Sequence, residues 1–209
     1  MNKVATNSYE EYLNALSHAV GAIFGVVGFL ILMSKNTDKT AYAIFSILVY
    51  SFTFILMFSA STLYHTVTKE ISKRKLRILD HICIYFLIAG TYTPMALITL
   101  INGKGWMIFY TVWSIAALGT LLKLFFTGKY ESISLALYLA MGWLIVLDFD
   151  NVLDYTSSQG IQFLIVGGAF YTLGIIFYAI EKIPYNHFIW HLFVLAGAFC
   201  HWVMIYLLV

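Results

Sequence analysis

Two histidines in an apolar segment have the spacing of a metal-binding pair. His187 and His191 are four residues apart, and residues at positions i and i+4 share one face of an α-helix. Zinc accepts imidazole ligands, and catalytic zinc sites combine three protein ligands with a fourth position open to water. The pair predicts two ligands of a zinc site, although such a pair also occurs in ordinary packing at a membrane interface.

Three more residues could complete this site. His65, at the end of another apolar segment, is the candidate third ligand. Asp80 begins the next apolar segment and could orient or deprotonate the water on the metal, or bind the metal directly. Ser61 precedes His65 by one helical turn, about 6 Å, and could donate a hydrogen bond to the water or to a substrate carbonyl. Taken singly, His65 could cap a helix C-terminus and Asp80 could neutralise a helix N-terminus or pair with Arg77.

The composition indicates that membrane-spanning helices carry these residues. Of the 209 residues, 61% are hydrophobic and 11% are charged, whereas soluble domains have about 25% charged residues. This excludes an ordinary soluble enzyme or nucleic-acid-binding protein. Seven spans of about 20 residues would use about 140 positions, which leaves room only for short loops. We expect a single seven-helix domain over residues 1–209, with residues 1–15 as a short cytoplasmic tail.

The apolar runs predict an all-α protein, because uniformly apolar spans of this length must satisfy their backbone hydrogen bonds as helices. Gly21, Gly25, Gly28, Gly167 and Gly168 suit close helix packing. Pro94 is expected to distort the third span, and Asp148, Asp150 and Asp154 are expected in a loop after the fifth. The predicted spans are Leu16–Met33, Ala41–His65, Ile78–Ile101, Trp106–Phe126, Ser132–Leu147, Ile161–Ile180 and Asn186–Leu208.

Basic residues predict the orientation of these spans. The stretch from Lys69 to Arg77 is the most basic of the chain, and we place it inside, where it also suits contact with anionic lipids. Nine basic residues then lie inside and only Lys35, Lys39 and Lys104 outside. The prediction is an N-terminus in the cytoplasm and a C-terminus outside.

This topology places His65, Asp80, His187 and His191 at one depth, the inner end of the bundle. An ionisable group inside a span is costly and is a candidate functional group. Agreement in both depth and spacing favours a metal site over four unrelated packing roles. His18 could support this site or cap its helix. His81 points away from Asp80, and His201 lies about 15 Å deeper than His191, so both are left out.

Four segments resemble the bacterial haemolysin III family, the prokaryotic branch of the progestin and adiponectin receptor superfamily. They are Ser61-Thr-Leu-Tyr-His65, Leu79-Asp80-His81, Ala89-Gly-Thr-Tyr-Thr-Pro94 and the run from His187 to His201. The resemblance covers nearly the whole chain, from the Ser17-His18 region to the seventh helix. It implies a multi-pass protein of the bacterial inner or cell membrane with its N-terminus inside.

The resemblance also implies a zinc ion near the cytoplasmic side, because the adiponectin receptors hold one there with three histidines, which match His65, His187 and His191. Their aspartate, beside the zinc-bound water, matches Asp80, and their serine matches Ser61. Alkaline ceramidases of the wider group are similar metal-dependent hydrolases of lipid amides. The short termini of this chain lead us to expect no docking surface for a protein hormone.

Several functions are compatible with these residues. The first is a zinc-dependent hydrolase of lipid amide or ester bonds, ceramidase-like and involved in membrane-lipid homeostasis, with Asp80 and Ser61 as catalytic residues and membrane lipids as substrates. The second is a receptor-like sensor or regulator of membrane state with a structural zinc. The third is a pore-forming haemolysin, which the lack of a predicted secretion signal and amphipathic pore-lining helix disfavours. A transporter is weaker still, since it needs more polar residues at the bilayer midplane. The pattern predicts neither a nucleic-acid partner nor an oligomeric state.

Overall fold

All regular secondary structure in the residues described by the computed structural model, 8–180 and 182–209, is helical. Seven segments are long and apolar enough to cross a membrane, which confirms the predicted all-α, seven-helix class. The orientation of the termini stays a prediction. The helices are α1 (Ser8–Lys35), α2 (Ala43–Thr66), α3 (Glu70–Pro94), α4 (Gly105–Phe126), α5 (Glu131–Gly142), α6 (Phe149–Tyr155), α7 (Ser158–Ala179) and α8 (Asn186–Leu208).

Two helices include about two turns before the apolar runs that predict them. Helix α1 already contains Ser8, the first described residue, so residues 8–15 of the expected tail are helical, while residues 1–7 lie outside the described part of the chain. Helix α3 starts at Glu70 and includes most of the basic stretch. Acidic side chains in the first turns, Glu10 and Glu11 in α1 and Glu70 in α3, favour these starts because they complement the positive end of the helix dipole.

The third span changes helix type at Pro94. The α-helix ends there, and a π-helix continues from Met95 to Thr99. Proline cannot donate a backbone hydrogen bond and its ring crowds the preceding turn. The hydroxyl of Thr93 donates to the carbonyl of Ala89, 2.9 Å away, and satisfies one acceptor in that turn. The predicted distortion therefore takes the form of a wider helical turn.

The fifth span is broken, and the prediction of an acidic loop after it is wrong. Helix α5 is followed by a 3₁₀ segment, Leu144–Asp148, and then by α6, which contains Asp150 and Asp154. The Asp148 carboxylate accepts hydrogen bonds from the Lys104 backbone N–H at 2.7 Å and from the Asn151 side chain at 2.8 Å. These bonds hold the segment against the α3–α4 connection, which explains why it is ordered rather than a free loop.

Packing around α3 positions the candidate site. Helix α3 contacts α2, α4, α5 and α8, and α1 packs against both α2 and α8. Four of the five glycines singled out from the sequence lie against large side chains of neighbouring helices, namely Gly21, Gly25, Gly28 and Gly167. Gly168 is the exception, because a Cβ there would have no neighbour within 4 Å.

Gly21 permits the close approach of α1 to α2, and its replacement is expected to destabilise the fold. A methyl group there would overlap the ring of Phe58, which is fully buried against Phe54 and His18. Gly21→Ala should lower the free energy of unfolding by about 1–3 kcal/mol through overpacking. The measurement is thermal unfolding in detergent, with Gly168→Ala as the matched control. The control should be neutral or slightly stabilising, and equal effects of the two substitutions would contradict this packing argument.

Candidate metal centre

Three histidines from two helices converge at one end of the bundle. His65 lies in the last turn of α2, and His187 and His191 lie in the first two turns of α8. One ring nitrogen from each residue lies within 4.8 Å of the others. The ring centroids are 4.7–5.3 Å apart. This cluster, called the His65 cluster below, could hold one metal ion.

Asp80 and Ser61 are buried beside the His65 cluster. Ser61 is 1% exposed and Asp80 is 8% exposed. The Asp80 carboxylate interacts electrostatically with His65, and the Ser61 hydroxyl faces that carboxylate. Asp80 is not among the ligand atoms that fit one ion. The structure thus brings all five sequence-predicted site residues into one region but separates the three histidines from the two oxygen-bearing side chains.

Unpaired polar atoms show that this region suits a bound polar group. His65 Nε2 is buried and has no hydrogen-bond partner in the described residues. The side-chain amide of Asn14 and both ring nitrogens of His18 are also buried without a hydrogen-bond partner among the described residues. Burying a polar group without a partner costs free energy, and a metal ion with its water would satisfy several such atoms. The donor set of three imidazoles suits zinc.

Glu11 contacts the site, and the sequence argument missed it. Its Oε2 lies 3.1 Å from His65 Nδ1 and 3.0 Å from Lys73 Nζ. Glu11 thereby connects α1 with the last turn of α2 and the first turns of α3. The sequence did contain a signal, because Glu11 precedes His18 by seven residues and the two side chains therefore lie on the same face of the first helix.

His191 is also held by α1. Its Nδ1 lies 3.3 Å from the backbone carbonyl of Asn14 and 3.5 Å from Ser17 Oγ. The Ser17 hydroxyl itself donates to that same carbonyl at 2.9 Å. No sequence pattern identifies a backbone carbonyl as a partner, so this contact could not be anticipated.

The remaining histidines have separate surroundings. His18 stacks on His191 with ring centroids 3.7 Å apart, which agrees with a supporting position beside the site. His81 faces away, with Nδ1 3.8 Å from the Glu131 carboxylate. His201 bonds through Nε2 to the Leu164 carbonyl on α7, 3.3 Å away. Both His81 and His201 lie outside the His65 cluster, as expected.

A large apolar cavity lies beside the site, within the membrane-spanning part. Its volume is about 810 Å³, and its lining comes mainly from α3, α5, α7 and α8. Helices α5 and α7 hardly touch each other, so the cavity borders a lateral gap in the bundle. Ile84, one turn after Asp80, and Trp190, next to His191, belong to its lining.

The fold and the site define a class: a seven-helix membrane protein with a buried histidine cluster at one end of the bundle. Comparison with known proteins identifies the family. Residues 6–202 match the family described as haemolysin-III related, and the chain belongs to this family. It is thus a multi-pass integral membrane protein of the bacterial cell membrane.

Individual relatives agree with this assignment. The chain is 39% identical to Hemolysin-3 of Bacillus cereus, over 90% of this chain and 87% of that protein. It is 38% identical to the Hemolysin-3 homolog of Bacillus subtilis, over 90% and 89%. It is 30% identical to the human monocyte to macrophage differentiation factor, over 95% and 84%. The last match fits the wider progestin and adiponectin receptor superfamily.

Proposed function

We propose that the protein is a zinc-dependent hydrolase of lipid amide or ester bonds that acts in membrane-lipid homeostasis. The observation that carries this proposal is the juxtaposition of the His65 cluster with the buried Asp80 and Ser61 side chains. His65, His187 and His191 would hold the ion. Zinc in such a site supplies Lewis acidity, which activates water and polarises a carbonyl group.

Asp80 and Ser61 have positions suited to the reaction. The Asp80 carboxylate, outside the ligand set, would orient the attacking water and accept its proton as general base. The buried Ser61 hydroxyl would donate to the substrate oxygen as negative charge develops there. Three histidine ligands leave a coordination position open, as in catalytic zinc sites, whereas structural sites are closed by a fourth protein ligand.

The cavity supports a lipid as the substrate. Its lining is almost entirely apolar and includes Leu87, Leu139, Ile165 and Met204. An acyl chain could therefore move from the bilayer into the cavity without contact with water or with unpaired polar groups. Entry through the gap between α5 and α7 would lead the chain towards Ile84 and Trp190 and so place its polar end near Asp80.

The same cavity also favours the second candidate, a sensor of membrane lipids with a structural zinc. A sensor would bind an acyl chain without breaking a bond, and Asp80 would then complete the metal site as a fourth ligand. The two candidates differ in whether bound lipid is converted. Pore formation has no comparable structural support in the described residues, although two Bacillus relatives carry the name haemolysin.

The test is release of free fatty acid by purified protein in lipid nanodiscs. Ceramides, other N-acyl lipids and lipid esters would be supplied as a panel, with and without a zinc chelator. We expect at least one class to be hydrolysed by the zinc-loaded protein and not after chelation. Lipid binding without release would favour the sensor. Leakage of liposomes by wild-type protein and by a variant lacking the zinc ligands would instead support a pore.

Filling the cavity should impair turnover of long-chain substrates without affecting the metal. Gly168 lines the cavity and has free space beyond its Cα. In Gly168→Phe the ring would occupy volume needed by an acyl chain, and we expect kcat/KM to fall about tenfold or more, which corresponds to about 1.4 kcal/mol. Val166→Phe, at an exposed position outside the cavity lining, is the control. Equal kcat/KM values in the two variants would show that the acyl chain does not occupy the cavity during turnover.

A further inference from the structure

The first helix makes two contacts that the proposed hydrolysis does not use. Glu11 Oε2 lies 3.1 Å from His65 Nδ1, and the Asn14 carbonyl oxygen lies 3.3 Å from His191 Nδ1. Glu11 and Asn14 are three residues apart and so lie on one face of α1. Each contacts a different candidate ligand, one on α2 and one on α8.

We propose that this face of α1 is an outer shell that sets the metal affinity of the centre, with Glu11 as its principal positioning residue. The inference rests on the metal site of the proposed function. It adds a residue and a role that neither the resemblance nor the histidine cluster itself assigns. Glu11 acts through His65 and is not itself a catalytic residue.

The chemistry follows from what each oxygen can do. An ionised carboxylate and a carbonyl oxygen only accept hydrogen bonds, so the nitrogen that faces either one must carry the proton. His65 and His191 are therefore held with Nδ1 protonated, which leaves the Nε2 lone pair free for a metal. His65 Nε2 is buried without a partner, as a nitrogen reserved for a metal should be. A carboxylate behind a ligating histidine also raises its basicity and fixes its ring.

Lys73 also contacts Glu11. Its Nζ lies 3.0 Å from the same Oε2 that contacts His65. The lysine partly neutralises the half-buried carboxylate, and this ion pair links α1 to α3. A purely structural explanation would reduce Glu11 to a link between α1 and α3, and this explanation predicts that loss of Lys73 should be as harmful as loss of Glu11.

The experiment measures zinc affinity by competition with a chromophoric chelator, using full-length protein in detergent. Glu11→Met removes the acceptor but keeps the side-chain length, and we expect zinc affinity to fall about 10-fold to 100-fold. Glu11→Gln keeps a neutral, weaker acceptor, so a smaller loss of at least about threefold is expected. Glu10→Gln is the matched control and should retain the affinity of the wild type, and Lys73→Met should lose less affinity than Glu11→Met, because the Glu11 carboxylate can still accept from His65.

A second readout, which like zinc affinity does not depend on catalytic activity, is the geometry of the metal ligands. Cobalt(II) loaded in place of zinc reports ligand geometry through its visible absorption, and we expect an altered spectrum for Glu11→Met but not for Glu10→Gln. Wild-type affinity in Glu11→Met, or an equal loss in Lys73→Met, would overturn the inference. Should Glu11→Met fail to fold, the comparison of Glu11→Gln with Glu10→Gln decides, and equal affinities would overturn it. If the wild-type protein binds no metal, the metal centre of the proposed function is itself refuted.

Discussion

The double variant His187→Ala/His191→Ala is expected to purify without zinc and without hydrolytic activity. The wild type should contain about one zinc per chain, because one ring nitrogen from each of three histidines can reach a single ion. Removing two of three ligands leaves His65 alone, and one imidazole cannot hold the metal against the solvent. Elemental analysis of detergent-purified protein measures the first effect, and fatty-acid release measures the second.

His201→Gln is the matched control for this variant. His201 lies on the same helix but bonds to the Leu164 carbonyl on α7, so its loss should leave the zinc content unchanged. Stoichiometric zinc in the double variant would place the metal elsewhere. A wild type without metal would show that the histidines serve packing, and it would count against both the hydrolase and the sensor with a structural zinc.

Asp80→Asn is expected to retain zinc and to lose turnover by about 10²–10⁴-fold, the usual contribution of a general base. The amide keeps the size of the carboxylate but cannot accept the proton of the attacking water. Asp80 lies outside the set of atoms that fit one ion, which is why metal content should survive. The measurement combines zinc analysis with the rate of fatty-acid release on the same preparation.

Ser61→Ala should also retain zinc and should lower the rate by about 10²–10³-fold, as loss of one donor to a developing oxyanion does. Ser51→Ala provides the control, because Ser51 is a buried, unpartnered serine on the same helix. Zinc loss in Asp80→Asn would identify Asp80 as a ligand and favour a structural metal. Unchanged turnover in a zinc-loaded Asp80→Asn protein would refute its assignment as the base.

The number of spans could be predicted because hydropathy acts locally. Each helix in a bilayer must satisfy its own backbone and present apolar side chains, so seven apolar runs correspond to seven spans. The ends were less predictable. Helix α3 extends back to Glu70 through a basic stretch that hydropathy assigns to a loop, and the ordered 3₁₀ segment that ends at Asp148 depends on hydrogen bonds to Lys104 and Asn151. Hydropathy does not record contacts between loops.

The candidate ligands could be named from the sequence because depth in a membrane follows from topology. Alternating spans place His65 and the start of α8 at the same end of the bundle, and the i,i+4 spacing places His187 and His191 on one face. The rotation of each helix about its axis could not be predicted in this way. It depends on which side chains interdigitate, and the fit of Phe58 against Gly21 is one such contact.

Hydropathy and helical periodicity are enough to predict the all-helical class, the seven spans and a set of histidines at one depth. That Glu11 and the Asn14 carbonyl lie against the ligand rings is visible only in the folded protein. The same holds for the separation of α5 and α7 around a cavity of about 810 Å³. The physical reason is that these features depend on how helices pack and rotate against one another, and packing is a property of many side chains together rather than of any local pattern.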